Sequence, residues 1–367
     1  MEPNRYATGK PERDRAETLG KTIRVMIVDD SLTVRTVFSR LVQSDSQLEI
    51  SATASNAERA IAILRDKPAD VILLDLEMPG MGGLEALPTI LKTAASAQVL
   101  VVSSLTQDGA EHSLAALSMG AADTMLKPRP GGFDDSYRSS LLAKIKALGG
   151  SSLDASRKSE RTSPIARAAC SAKIPEVVAI GASTGGIHAL NILLRGLPQQ
   201  FDLPIVVTQH LPASFIPVFA RQVEMAAGRK TLIAEDGTTI RGGEIAIATG
   251  YSHMVVKRQG RHFVTGVDIG PAPSGCRPSV DPMLTSLAHN LNGHALAVIL
   301  SGMGKDGKLG AADLVEAGGI VIAQDAETSA VWGMPGAVAK AGLTSAVLPP
   351  EGLLNEILDR CGVAAWK

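Results

Sequence analysis

Short apolar runs alternate with helical periodicities along the first third of the chain. The run from Ile23 to Val28 predicts a buried strand, and apolar positions at helical spacing follow it, with Ser31 placed to cap that helix. The same reasoning predicts further strands near residues 49–54, 71–74, 98–102 and 123–125. Helical patterns follow near residues 57–64, 84–91, 109–119 and 136–148. Five strand–helix pairs in this order indicate a parallel, doubly wound sheet.

The periodicity stops at about residue 149 and resumes after residue 173. The intervening stretch is rich in Gly, Ser and charged residues, which predicts a flexible linker. Beyond it, strands are expected near residues 177–180, 205–208, 245–248, 295–300, 320–323 and 346–348. Helices are expected near residues 187–195, 214–227, 282–291, 308–316 and 352–360. The segments between residues 231 and 267 are short and turn-rich, which is typical of an antiparallel ribbon.

This pattern divides the chain into four parts. They are a polar tail (1–21), a first domain (22–148), a linker (149–173) and a second domain (174–367). We predict an α/β protein with two doubly wound, mainly parallel-sheet domains. The first is flavodoxin-like, and the second is Rossmann-like with a short antiparallel ribbon.

Composition narrows the classes of partner. With 36 basic and 37 acidic residues, the chain lacks the positive excess of a nucleic-acid-binding surface. No apolar stretch is suited to a secretory signal or a membrane span, so we expect a cytoplasmic protein without membrane insertion. Cys170, Cys276 and Cys361 are far apart and form no CxxC pair. Their spacing predicts neither a disulfide framework nor a zinc site, and it places no cysteine in the chemistry.

Carboxylates stand at the ends of two predicted strands of the first domain. Asp29 and Asp30 follow the first strand, and Asp75 ends the third. Because the carboxyl ends of parallel strands share one edge, these groups should meet there and attract a cation such as Mg²⁺. The next two strands end in Ser103 and Lys127, which could contact a phosphoryl group on the same edge. A lone strand-end Asp is usually a turn former or helix cap, but the ordered set favours a functional site.

These residues closely resemble the receiver domain of two-component response regulators, over about residues 22–148. The resemblance implies that a partner histidine kinase phosphorylates Asp75. It also implies Mg²⁺ bound by Asp30, Asp75 and the backbone carbonyl of Glu77, with Asp29 acting through water. Ser103 and Lys127 would bind the phosphoryl oxygens.

A glycine-rich turn opens the second domain. Gly181 to Gly186 follows an apolar strand and reads Gly-Ala-Ser-Thr-Gly-Gly. A dinucleotide-binding turn is one interpretation, but Ser183 replaces the middle glycine of that motif. The other interpretation is G-x-S-x-G, which presents a nucleophilic serine at the head of a helix.

A nucleophilic serine needs a base and a group that orients the base. Among seven histidines, His210 ends a predicted strand on the same sheet edge and is the favoured base, with His253 in reserve. Asp306 lies in a glycine loop after another strand, although a helix N-cap is its simpler explanation. The order Ser, His, Asp differs from the Ser, acid, His order of α/β-hydrolases.

Several blocks of the second domain, in order, are similar to the chemotaxis protein-glutamate methylesterase family. They are the segments 181–186, 209–212, 277–281, 301–307, 323–325 and 333–335. One loop, residues 248–253, departs from the family's usual A-P-G-G-x-H. The resemblance implies a triad of Ser183, His210 and Asp306, with the Met303 backbone N–H as an oxyanion donor and Thr184 nearby.

The resemblance also implies the substrate and its control. The substrate would be the γ-methyl ester of glutamate on chemoreceptor cytoplasmic helices, with deamidation of receptor glutamines by the same chemistry and no cofactor for ester hydrolysis. The first domain would cover the catalytic site until Asp75 is phosphorylated. Two alternatives remain: a response regulator whose second half only binds a partner, and a nucleotide-dependent enzyme.

Overall fold

The computed structural model describes residues 22–104, 106–128, 134–154, 173–260 and 262–362. The predicted N-terminal tail and most of the predicted linker lie outside these residues. Within them, no helix combines the length and apolarity needed to cross a bilayer.

The first domain is a five-stranded parallel sheet with the strand order β2-β1-β3-β4-β5, which confirms the flavodoxin-like prediction. Its elements are β1 (Ile23–Val28), α1 (Leu32–Gln43), β2 (Leu48–Ala54), α2 (Ala57–Leu64), β3 (Val71–Asp75), α3 (Gly83–Thr93), β4 (Gln98–Ser103), α4 (Gln107–Met119), β5 (Asp123–Leu126) and α5 (Asp135–Asp154). The central strand β3 is buried along its whole length, because helices cover both faces of the sheet. The Ser31 side chain caps α1 by accepting a hydrogen bond from the Val34 N–H.

Helix α5 continues six residues beyond the predicted end at residue 148. Gly149 lies within it, in close contact with Ile23, and a Cβ there would lie 2.4 Å from the Ile23 Cγ2 atom. The glycine therefore serves close packing of α5 against β1, where the sequence suggested the start of a linker.

The second domain is built on a seven-stranded parallel sheet with the order β15-β14-β13-β6-β7-β10-β8. Its first half comprises β6 (Val177–Ala182), α6 (Gly186–Gly196), β7 (Ile205–Gln209), α7 (Ile216–Ala227), β8 (Thr231–Ala234), β9 (Thr239–Ile240), β10 (Ile245–Ala248), β11 (His253–Gln259) and β12 (His262–Asp268). Its second half comprises α8 (Val280–Asn290), β13 (Ala295–Ile299), α9 (Lys308–Glu316), β14 (Ile320–Gln324), α10 (Met334–Lys340), β15 (Ala346–Leu348) and α11 (Pro350–Arg360).

Two features differ from the sequence pattern. Strands β9, β11 and β12 form the predicted antiparallel ribbon, but β8 joins the parallel sheet beside β10. Helix α10 was not predicted, since its seven residues are too few to show a period. It is placed by tertiary contact, because the Met334 N–H at its start donates to the Gly302 carbonyl at 2.8 Å.

Candidate active site and acidic cluster

The strand-end carboxylates of the first domain come together as the topology requires. Strands β1 and β3 are parallel neighbours, and Asp29, Asp30 and Asp75 each place an oxygen within 4.8 Å of the others. Asp29 and Asp75 are buried, whereas Asp30 is exposed. Lys127, which follows β5, lies between the two buried carboxylates, with its Nζ 2.6 Å from Asp75 Oδ2 and 3.0 Å from Asp29 Oδ2.

The electrostatics of this acidic cluster favour a divalent cation. Burial raises the pKa of Asp75 to about 6, although Lys127 opposes that shift. Burial also lowers the pKa of Lys127, but its contacts with Asp75 and Asp29 outweigh this and leave the pKa raised. Lys127 supplies one positive charge against three carboxylates, so the cluster is negatively charged. A set of carboxylate oxygens with net negative charge fits Mg²⁺.

Glu77 and Ser103 border this cluster in different ways. The Glu77 backbone N–H donates to Asp75 Oδ1 at 3.1 Å and fixes the orientation of that carboxylate. Ser103 ends β4 beside β3, but its buried hydroxyl accepts a hydrogen bond from Ser113 of α4 at 2.7 Å. Ser103 is thus engaged with a helix and not with Asp75.

Ser183 lies in the turn between β6 and α6, as the motif predicted. Its backbone N–H donates to the Ser301 carbonyl at 3.0 Å, and its hydroxyl makes no hydrogen bond to any described residue. Gly185 has a φ of 77°, which favours glycine. A Cβ on this residue would also lie 2.4 Å from the Ala330 Cβ, so the turn requires glycine. Helix α6 begins at the next residue, which leaves the serine at a helix N-terminus.

His210 is brought beside Ser183 by strand register. Ala182 pairs with Gln209, and the His210 N–H donates to the Ala182 carbonyl at 3.0 Å. The His210 Nε2 atom lies 2.7 Å from Asp306 Oδ2. One imidazole nitrogen, Nε2, therefore contacts a carboxylate. The other nitrogen, Nδ1, remains available to contact a second partner.

Asp306 is nearly inaccessible and is held by several donors. Ser279 Oγ, the Val280 N–H and the Gly307 N–H lie 2.7, 2.8 and 2.9 Å from its oxygens. Burial alone would raise the pKa of Asp306, but hydrogen bonds from His210, Val280 and Ser279 outweigh it and hold the pKa well below the usual range. Asp306 is thus a permanent anion facing the imidazole, not the helix cap that its sequence context also allowed.

Cys276 is a neighbour of His210 that the sequence did not indicate. Burial lowers the pKa of His210, but contacts with Asp306 and Cys276 outweigh it and raise the pKa to about 9. Ser279 was also missed as the residue that fixes Asp306, although it lies within the block 277–281. No local pattern indicated Cys276, because it lies 66 positions after His210 in the chain.

His253, the second candidate for the base, has a structural role instead. It is buried, its Nδ1 accepts from the Ser279 N–H at 2.9 Å, and its Nε2 lies 2.9 Å from the Gly270 carbonyl. Both ring nitrogens are thus occupied. His253 positions the segment that carries Ser279 and is not available as a base.

The remaining predicted residues lie on the two sides of Ser183. Met303 follows β13 in the loop 301–307. This loop packs closely against the serine, since a Cβ on Gly302 would lie 2.8 Å from the Ser183 Cβ. Thr184, on the other side of Ser183, contacts the first domain: its hydroxyl donates a hydrogen bond to Asp123 Oδ2 at 2.5 Å. The Gly185 N–H donates to the Ala122 carbonyl at 2.5 Å. The residues that follow the serine are therefore bonded to the start of β5.

Helix α4 of the first domain extends this interface. Ser118 accepts a hydrogen bond from Asn191 of α6 at 3.0 Å, and Glu111 pairs with Arg221 of α7 at 3.1 Å. Ala330 and Val331, from the loop beside Ser301, pack against the apolar core of the first domain. The first domain thus lies against the segment that begins at the candidate nucleophile.

Known proteins share both halves of this arrangement. Residues 178–357 match the family described as CheB methylesterase, and residues 25–132 match the response regulator receiver domain. A protein-glutamate methylesterase/protein-glutamine glutaminase 1 of Rhodospirillum rubrum is 40% identical, with 94% of this chain and 96% of that protein covered. The protein-glutamate methylesterase/protein-glutamine glutaminase 2 of Caulobacter vibrioides is 41% identical, with 92% of this chain and 99% of that protein covered. The solved CheB methylesterase catalytic domain of Thermotoga maritima is 36% identical, with a TM-score of 0.49, over 50% of this chain and 98% of that chain. The chain therefore belongs to the CheB methylesterase family, with a receiver domain ahead of the methylesterase domain.

Proposed function

We propose that this protein is a phosphorylation-activated hydrolase that removes methyl groups from glutamate γ-methyl esters on chemoreceptors and also deamidates receptor glutamines. The observation that carries the proposal is the 2.7 Å contact between His210 and Asp306 on the sheet edge beside Ser183. The names of the relatives supply the substrate class. The acidic cluster in the same chain supplies a means of control.

The proposed ester hydrolysis uses Ser183 as nucleophile, His210 as base and Asp306 as the group that stabilises the charged base. Ser183 Oγ attacks the ester carbonyl while His210 accepts the hydroxyl proton, and Asp306 stabilises the imidazolium that forms. The Met303 backbone N–H is our proposed donor to the oxyanion. Methanol leaves with the proton from His210, and water then hydrolyses the acyl-serine to give glutamate. With glutamine as substrate, ammonia leaves in place of methanol.

Control begins at Asp75, which we propose accepts a phosphoryl group from a histidine kinase. Mg²⁺, when bound, would neutralise charge on the phosphoryl oxygens. Asp30, Asp75 and the Glu77 carbonyl would hold the ion, with Asp29 acting through water. Lys127 already contacts Asp75 and would move to the new phosphoryl oxygens.

The hydrogen bond between Ser103 and Ser113 offers a route from Asp75 to the domain interface. A phosphoryl group on Asp75 would attract the Ser103 hydroxyl as a donor and draw its oxygen away from Ser113 of α4, from which it now accepts. The same helix carries Ser118 and Glu111, which bind the second domain. Loss of the Ser113 contact would therefore loosen α4 where it contacts the catalytic half.

The proposal is tested by methanol release from methylated chemoreceptor membranes. We expect the purified chain to release methanol, and to release it faster with acetyl phosphate and Mg²⁺. A chain that binds the receptor without releasing methanol would instead support a non-catalytic output domain, and labelling of Ser183 by a serine-reactive probe separates the two.

The pH profile of the unphosphorylated protein should report the raised pKa of His210. A base must be neutral to accept a proton, so activity should rise with pH and level off above about pH 9. A free histidine would level off above its ordinary pKa of about 6.5. Methanol release, corrected for the rate with a Ser183→Ala variant, measures the midpoint. A midpoint near the ordinary value contradicts this account of the contacts around the ring.

Magnesium binding should weaken in acid. Asp75 must be ionised to ligate the ion, and its pKa is raised to about 6. We expect the affinity, measured by calorimetry, to be constant above about pH 7 and to fall about tenfold per unit well below pH 6, because protons and metal compete for one carboxylate. An affinity that does not change between about pH 5 and pH 7 would refute Asp75 as a ligand with this pKa.

Asp123 should restrain the resting enzyme. It accepts the Thr184 hydrogen bond and also pairs with Lys144 of its own domain. Asp123→Asn removes the charge from the bond across the domains and should raise the unphosphorylated activity about 5- to 10-fold. The exposed Asp66 is the matched control, since Asp66→Asn should leave that activity unchanged. Equal activities in the two variants would remove Asp123 from the restraint.

A further inference from the structure

A second group of metal-ligating side chains surrounds the catalytic imidazole. Cys276 Sγ, a ring nitrogen of His210 and an Asp306 carboxylate oxygen all lie within 4.8 Å of one another. The three come from the end of β7, the loop before α8 and the loop after β13. Asp306 is buried, while Cys276 and His210 are partly exposed, so the group can be reached from solvent.

The donor set is one that zinc prefers. A thiolate, an imidazole and a carboxylate are the three kinds of zinc ligand in proteins, whereas the acidic cluster of the first domain offers oxygen alone. With zinc–ligand bonds of about 2.0–2.3 Å, tetrahedral ligands lie about 3.3–3.8 Å apart. The observed spacing needs only a small approach of the Cys276 loop, whose residues alternate between exposed and partly buried. Three protein ligands leave a fourth position for water.

We propose that Cys276, His210 and Asp306 bind Zn²⁺ and that the bound ion inhibits the enzyme. Binding releases the thiol proton of Cys276 to solvent and, where the His210 ring is charged, also one of its two N–H protons, while the other ring nitrogen keeps its proton. A ring nitrogen of His210 then gives its lone pair to zinc. Asp306 also binds the ion and is no longer solely a hydrogen-bond acceptor for the imidazole. His210 can therefore no longer accept the proton of Ser183. The site itself is independent of the proposed function, and only the inhibition rests on it.

Zinc binding to the full chain tests the site without any assay of activity. We would titrate Zn²⁺ by calorimetry in excess Mg²⁺, and then Co²⁺ to record the thiolate-to-cobalt absorption band. Cys361→Ser is the matched control, because Cys361 is the other described free cysteine and is equally partly buried. Both variants are made in a Cys170→Ser background, since Cys170 lies outside the described residues.

We expect Cys276→Ser to weaken zinc binding at least about 100-fold and to abolish the cobalt–thiolate band, while Cys361→Ser changes neither. Unchanged affinity and an unchanged band in Cys276→Ser would overturn the site. Proton release on binding should make the affinity rise with pH, and no such rise would also count against it.

Methanol release by the phosphodonor-activated protein tests the inhibition. Zinc should suppress the activity of the Cys361→Ser protein at concentrations that leave Cys276→Ser unaffected, each measured against its own rate without zinc. A Cys276-dependent cobalt band with no loss of activity on zinc addition would overturn the inhibitory role. A protein with no methanol release at all would defeat the proposed function while the metal-binding result still stood.

Discussion

Replacing Ser183 by Ala should lower methanol release by about 10⁴-fold or more, because the variant retains His210 and Asp306 but has no nucleophile. The fold should persist, since the Ser183 hydroxyl makes no hydrogen bond to a described residue. The measurement is single-turnover methanol release from methylated receptor, with thermal unfolding as the check on structure.

A matched serine separates nucleophile loss from a general effect. Ser345 is exposed on the same domain, and its hydroxyl bonds, among the described residues, to the Val321 carbonyl alone. Ser345→Ala should retain full activity. If Ser183→Ala were folded and comparably active, the nucleophile would have to be another residue.

The second large effect is expected in the first domain, at Asp75. Asp75→Asn should abolish the rise in activity caused by acetyl phosphate and Mg²⁺, because an amide cannot accept the phosphoryl group. In the native protein we expect that rise to be about 5- to 150-fold, the range typical of coupling between two sites. Steady-state methanol release with and without phosphodonor measures it.

Two comparisons make this result specific. The resting activity of Asp75→Asn should stay near that of the native protein, because the catalytic residues are untouched. Asp66→Asn, an exposed carboxylate of the same domain, should still respond to phosphodonor. A full response in Asp75→Asn would show that the phosphodonor acts elsewhere.

The strand ends of the first domain illustrate how much local pattern can determine. The strands that carry the site are short and mainly apolar, and their ends are marked by Asp29, Asp75, Ser103 and Lys127. Parallel pairing then brings the carboxylates and Lys127 to one edge without any further information. The same logic placed Ser183 and His210 at one sheet edge, and the structure adds that the strands before them are neighbours, with Ala182 paired with Gln209.

The sequence pattern favours His210 as the base but does not exclude His253, because both are adjacent to predicted strands. His253 is excluded only by its two ring contacts, to Ser279 and Gly270. Asp306 likewise fits a helix cap in sequence, and its role depends on donors that arrive from the start of α8. Neither set of contacts has a local signature.

The sequence by itself determined the two α/β domains, the acidic edge of the first and the serine turn of the second, because periodicity and strand order are local properties of the chain. Tertiary structure alone decided three other things. They are the hydrogen bond between Thr184 and Asp123, the hydrogen bond between Ser103 and α4, and the proximity of Cys276 to His210. Each depends on segments that are distant along the chain and meet only when helices, loops and domains pack. A cysteine that the spacing rules excluded from the chemistry thus lies next to the imidazole of the proposed base.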